Sequence, residues 1–182
     1  MKRWAALLKG VNVGGNRRLP MADLKAFLKG LGFANVRTLL ASGNAVFDCD
    51  EADAAALEAL LEHAATERLG LTTDWLLRDA AGIDATIAAN PFAAEAVERP
   101  NRLLLVFTRE SLPADLPERL AAIHRGPERV AVAGRTLYID YVDADTMRDS
   151  KLPQAMAKLG AGKGAATGRN WNTVIKLRQM LD

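Results

Sequence analysis

The chain has 182 residues, 49% of them apolar and 25% charged, and a net charge of +2. That length and balance fit one globular domain or two small ones, with enough apolar material for a core. They exclude a spanning helix and argue against a membrane partner, because no apolar run reaches the ~18 residues such a helix needs. A single cysteine, Cys49, excludes an internal disulfide, as suits a reducing cytoplasm.

At the start of the chain, the apolar stretch Trp4–Leu8 is shorter than the ~7–15 residues of a secretory core. Arg3–Leu8 therefore reads as a first strand, followed by a Gly/Asn/Arg loop over Gly10–Leu19. Pro20 suits the first turn of a helix, and Met21, Leu24, Phe27, Leu28 and Leu31 then share one face, up to a stop at Gly32. Val36–Ala41 and Ala45–Asp48 are predicted strands, joined by a tight hairpin with Gly43 at the first central position. Asp50–Arg68 is predicted helical, with Leu57, Leu60, Leu61 and Ala64 inward, and Thr73–Arg78 extended. This β-α-β-β-α-β order is the ferredoxin-like arrangement.

The second half begins alike. After a short helix and linker to Ala89, Arg102–Thr108 is a strand, Asp115–His124 a helix bearing Leu116, Leu120 and Ile123, and Arg129–Ala133 with Thr136–Val142 a strand pair turning at Gly134. Ser150–Leu159 is a helix, Gly160–Gly168 a flexible loop, and Trp171–Leu181 a final helix. This copy lacks a clear last strand. No sequence repeat links the halves, so the expectation of an α+β protein with two ferredoxin-like halves, 1–80 and 81–182, the second carrying the C-terminal helix, rests on element order.

Charge is unevenly distributed. Residues 1–44 hold eight Lys/Arg and one Asp, residues 45–146 nine and nineteen acids, and residues 147–182 seven and two acids. Solvated helix faces account for such a split, and so does a positive surface made by the two ends. The loop Lys9-Gly10-Val11-Asn12-Val13-Gly14-Gly15-Asn16-Arg17-Arg18 has the first glycine spacing of a P-loop. It carries Asn16 and Arg17 where that motif needs Lys and Ser/Thr, which removes the nucleotide-hydrolase reading. What remains is a glycine loop with two arginines before a helix, a setting that attracts anions. Lys163–Thr173 repeats glycine, cation and helix start, with Asn170 or Asn172 as a cap, and Ser150-Lys151 puts a third cation at a helix start.

Other chemistry is thin. One cysteine and two histidines, His63 and His124, cannot form a Cys/His zinc site. Neither a nucleophile elbow around Ser42 nor a dinucleotide fingerprint is present.

Several motifs coincide with a known pattern. Leu8–Gly15, Pro20-Met21-Ala22-Asp23-Leu24, Leu31-Gly32-Phe33 with Val36-Arg37-Thr38, and Ser42–Phe47 resemble the opening signature of the family called domain of unknown function 1697. Arg169-Asn170-Trp171-Asn172-Thr173-Val174 with Lys176-Leu177 resembles its closing one. The resemblance implies a compact, bacterial-type cytoplasmic α+β protein with ferredoxin-like halves. It brings no catalytic residue, because the family has no established activity. The family usually has Arg where this chain has Lys9, a weaker holder of planar anions.

The expected function is binding of a phosphate-bearing or other anionic ligand. A small anion is favoured over nucleic acid, since no aromatic pair sits on one strand in RNA-recognition style. Neither a metal nor a cofactor is expected, and a homo-oligomer stays open. The expected ligand-binding residues are Lys9, Asn12, Gly14, Gly15, Arg17, Ser42, Gly43, Asn44, Lys151, Arg169, Asn170, Trp171 and Asn172. Asn12, Asn44 and Arg169 or Asn170 would then share one cleft. The alternatives are a small-molecule enzyme using that cleft and a structural, oligomeric protein.

Overall fold

The computed structural model describes residues 1–15 and 17–182; Asn16, in the first glycine loop, lies outside the described residues. Two compact units are formed, Met1–Asp84 with Lys176–Asp182, and Ala85–Ile175. The last seven residues thus fall to the first unit, where the sequence had suggested a terminal helix wholly in the second half.

The first unit holds β1 (Lys2–Leu8), α1 (Met21–Gly30), β2 (Ala34–Leu39), β3 (Asn44–Cys49), α2 (Ala54–Leu69) and β4 (Trp75–Arg78). The sheet order is β2-β3-β1-β4, with every neighbouring pair antiparallel. Trp4, Ala6 and Leu8 of β1, Ala45 and Phe47 of β3, and Trp75 and Leu77 of β4 alternate onto one face. Leu24, Phe27 and Leu28 of α1 and Leu57, Leu61 and Ala65 of α2 cover that face at helical spacing. Leu60, expected inward, is 48% exposed, because the buried stripe follows positions 57, 61 and 65. Helix α2 starts at Ala54 rather than near Asp50, since the Asp53 carboxylate accepts from the N–H groups of Ala55 (2.8 Å) and Ala56 (3.2 Å) and so fixes the first turn. Gly70, at φ 60°, ends it.

The second unit repeats the plan with β5 (Leu103–Thr108), α5 (Leu116–Ile123), β6 (Arg129–Ala133), β7 (Thr136–Asp140), α7 (Leu152–Lys158) and β8 (Ala166–Asn170), in sheet order β6-β7-β5-β8. Leu116 and Leu120 of α5, Leu137 and Ile139 of β7, and Leu152 and Ala155 of α7 make its core. Short helices α4 (Ala93–Glu98) and α6 (Ala144–Asp149) are additions, while α3 (Ala80–Ala88) and α8 (Trp171–Met180) carry the chain from one unit to the other. The copy is complete: β8 occupies the end of the stretch that reads as a flexible loop. Its sequence, Ala-Thr-Gly-Arg-Asn, shows no apolar alternation, yet its backbone pairs with β5 from Thr108↔Ala166 to Leu104↔Asn170. Gly168 is a packing residue there, since a Cβ would sit 3.3 Å from Leu104. Ile123, at the end of α5, is half exposed rather than inward.

The halves are duplicated to the level of single hydrogen bonds. Leu8 N donates to Gly43 O (2.9 Å) and Thr108 N to Arg135 O (3.0 Å). Lys9 N donates to Asp74 O (3.0 Å) and Arg109 N to Ala165 O (3.1 Å). Arg78 stands opposite Ala5 and Arg169 opposite Leu105; both arginines are buried, and each donates from Nη1 to the carbonyl of the preceding residue at 2.8 Å. The hairpins differ. Ala133 pairs with Thr136 across Gly134-Arg135, with Gly134 at φ 54°, whereas Leu39 pairs with Asn44 across four residues. The tight turn expected at Gly43-Asn44 is therefore a longer loop, with Leu40 and Gly43 both at positive φ. Among the described residues, no helix is long and apolar enough to cross a membrane.

Candidate functional site

The segment between β1 and α1 is built from left-handed backbone. Gly10, Asn12, Gly14, Gly15 and Arg17 have φ of 61°, 56°, 60°, 77° and 49°, a region that asparagine tolerates better than most residues. Asn12 stabilises the bend with its own amide. Nδ2 donates to Leu19 O (2.8 Å) and Ala41 O (2.6 Å), and Oδ1 accepts from Leu19 N (2.7 Å). Beside it Val11 is fully buried, and a Cβ on Gly43 would come within 2.3 Å of Val11 Cγ2. Only glycine at position 43, held at φ 82°, lets the hairpin close on the loop.

Asn44 is completely buried and donates to Leu39 O (2.9 Å) and Ser42 Oγ (3.0 Å). Lys9 Nζ lies 3.0 Å from the Asp74 carboxylate, and the Thr73 hydroxyl donates to Lys9 O. The structure thus brings Asn12, Ser42, Gly43 and Asn44 together: the Asn12 amide ties the loop to the hairpin through Ala41 O, and the Asn44 amide with the Ser42 hydroxyl braces the hairpin itself. Gly14, Gly15, Arg17 and Arg18 are left at the surface. Arg17, Arg18 and Leu19 face Leu69–Thr72 across an open depression of about 570 Å³ that Asp23 also lines. The adjoining N-terminus of α1 has no side-chain cap.

In the second unit the predicted residues take separate roles. Arg169 lies within β8 and is buried, with Nη1 donating to Thr167 Oγ1 (2.7 Å) and Gly168 O (2.8 Å); burial pushes its guanidinium down to about 10. Asn170 caps α8, accepting from Thr173 N and Thr173 Oγ1, both at 3.0 Å. Trp171 is half-buried at the start of that helix, and Asn172 donates to Asn101 Oδ1 (2.7 Å) at the surface. Lys151 is exposed before α7 and borders a depression shared with His124 and Glu128. The corner equivalent to that of the first unit, between the segment after β5 and the segment before β8, holds a cavity of about 220 Å³.

A family model of proteins of unknown function, DUF1697, matches residues 1–138. The chain belongs to this family. No curated protein matches it significantly. Two solved chains do. One is a conserved bacterial protein, SP0830, from Streptococcus pneumoniae, 23% identical to this chain, with a TM-score of 0.74 over 100% of this chain and 99% of its own. At that identity the likeness bears on the fold. The DUF1697 match ends in β7, so the closing motif around Arg169–Lys176 lies beyond it.

Two polar clusters of this DUF1697 chain escape sequence reading. The first surrounds Glu128, whose side chain is 1% exposed: His124 Nε2 lies 2.8 Å from Oε2, and the Ser150 hydroxyl donates to Oε1. Burial raises the Glu128 carboxyl, and those two partners outweigh it, holding it below its usual range. Gly126 permits the contact, because a Cβ there would fall 1.9 Å from Glu128 Oε2. The i, i+4 spacing of His124 and Glu128 around that glycine was the available signal. The second cluster surrounds Asp140, fully buried, which accepts from Arg99 Nε and Nη2 (both 2.9 Å) and from Arg129 Nε (3.0 Å) and Nη2 (2.6 Å). Burial raises this carboxyl too, and the two guanidinium groups outweigh it. Arg129 stands directly opposite Asp140 in the β6–β7 hairpin, a pairing the predicted strands imply, whereas Arg99 is 41 residues away, beyond any local pattern. Among the described residues, no three His, Cys, Asp or Glu side chains gather as a metal-binding group.

Proposed function

We propose that this protein binds a small phosphate-bearing or otherwise anionic ligand at the loop that follows β1. The observation that carries the reading is the division of labour in that loop. Asn12 and Gly43 hold its inner side rigidly, while Gly14, Gly15, Arg17 and Arg18 stay on its outer side, next to an uncapped helix start. A pre-shaped loop lowers the entropy lost on binding. Exposed glycines let a ligand approach the backbone, and the helix N-terminus favours negative charge. Arginine supplies the fork that fits phosphate oxygens. No described strand carries two aromatic residues, which favours a small ligand over nucleic acid, and a single buried thiol, Cys49, agrees with a reducing cytoplasm.

Calorimetric titration with pyrophosphate and nucleoside triphosphates tests this. Binding should weaken by about tenfold or more in an Arg17→Ala/Arg18→Ala variant, as the loss of a charge-assisted contact predicts. Wild-type protein that takes up none of these anions would refute the reading. Preferential, steeply salt-dependent uptake of an oligonucleotide would move the assignment to nucleic acid.

A further inference from the structure

The glycine-rich run between α7 and β8 has no part in the first corner. Gly160, Gly162 and Gly164 hold φ of 66°, 74° and 100°, and a Cβ on Gly162 would come within 2.9 Å of the Ala166 Cβ. The run is therefore kept bare of side chains where it bends. The hydrogen bond from Arg109 N to Ala165 O (3.1 Å) joins it to the segment after β5. Between these walls and α5 lies the cavity of about 220 Å³.

Three cations from three separate elements line that cavity: Arg109 after β5, Arg119 on α5 and Lys163 in the glycine run. Among its described lining residues Glu110 is the sole acid, which leaves a local charge of +2. Cations gathered around a small recess repel one another, and an anion of matching charge relieves that repulsion. The volume is below the ~300–1,000 Å³ of pockets that enclose whole drug-sized ligands. It suits a phosphoryl head group rather than a nucleotide.

We infer that this cavity is a second anion site, which takes the phosphate group of a small molecule. It is made of its own residues and stands or falls apart from the first corner. The test follows backbone amide signals of the ¹⁵N-labelled full chain during titration with inorganic phosphate and pyrophosphate, at ionic strength held constant with chloride. Saturable shifts are expected at Gly162 and Gly164, with a midpoint raised about tenfold in Lys163→Ala and in Arg119→Ala, as befits one charge-assisted contact. Both side chains are exposed, so these variants keep the fold. In Arg17→Ala/Arg18→Ala the same shifts should persist while any at Gly14 and Gly15 are lost, which separates the two sites. The inference is overturned by a lack of saturable shifts over residues 160–165, by an unchanged midpoint in both variants, or by equal shifts with chloride.

Discussion

The two units share a topology and even individual hydrogen bonds, yet they stabilise their equivalent positions with different chemistry. At the end of β3, Asp48 accepts from Arg3 and Asn35 in a site that remains partly open to water; at the end of β7, the fully buried Asp140 accepts from Arg99 and Arg129 together. The hairpins diverge likewise, one a four-residue loop locked under Val11, the other a two-residue turn over open space. A backbone plan fixed by strand pairing tolerates such exchange. Each side chain has only to satisfy its own surroundings.

The largest expected effect sets the two hairpins against each other. Gly43→Ala adds a clash with Val11 to an unfavourable φ and should cost about 3 kcal/mol. Gly134→Ala has the backbone penalty alone, since nothing lies within 4 Å, and should cost about 1 kcal/mol. Urea unfolding of both variants measures the gap, and equal losses would break the comparison.

Next come the carboxylates. Asp140→Asn should remove about 2–3 kcal/mol, as two arginines lose their shared charge partner, and Asp48→Asn roughly half that. The pH dependence follows from the same sites. Both carboxyls titrate below their usual range, Asp48 through its hydrogen bond from Arg3 and Asp140 through its two arginines despite burial. Their contribution is therefore complete above the unfolded-chain value of about 4 and is lost as pH falls through the lower folded values. Stability should decline on acidification from about pH 5, and less steeply in Asp140→Asn than in wild type.

A smaller effect is expected from Asn12→Ala, which deletes three hydrogen bonds at the first loop and should cost about 1–2 kcal/mol, with faster proteolysis at Gly14-Gly15. The second unit has no counterpart amide to lose, so its segment after β5 should be cut at an unchanged rate.

Much of the fold was legible because elements of both units carry a plain apolar pattern: Leu24, Phe27 and Leu28 at helical spacing announce α1 in the first, and the continuous run Leu103–Phe107 announces β5 in the second. Strand β8 was not, because its stability comes from backbone pairing with β5 and its glycine packs against Leu104. The candidate site was legible in part. Glycines and arginines mark the first loop, but whether an asparagine faces a ligand or its own backbone depends on partners such as Ala41, 29 residues away. Arg169 read as a helix-start cation and is instead a buried strand residue, a fact set by its place opposite Leu105.

The first unit is completed by residues 176–182, where Arg3 donates to the Asp182 carbonyl and Arg37 to that of Met180. These contacts close loops of 179 and 143 residues. The second unit, in contrast, is a single continuous stretch. On a ribosome emitting roughly 5–20 residues per second, the second unit is therefore finished first, although it is encoded later than most of the first. The four strands of the N-terminal sheet all lie within residues 2–78 and pair early, whereas the contacts of residues 176–182 wait for translation of the tail, and that interval is when chaperones and proteases have access to the surface those residues cover.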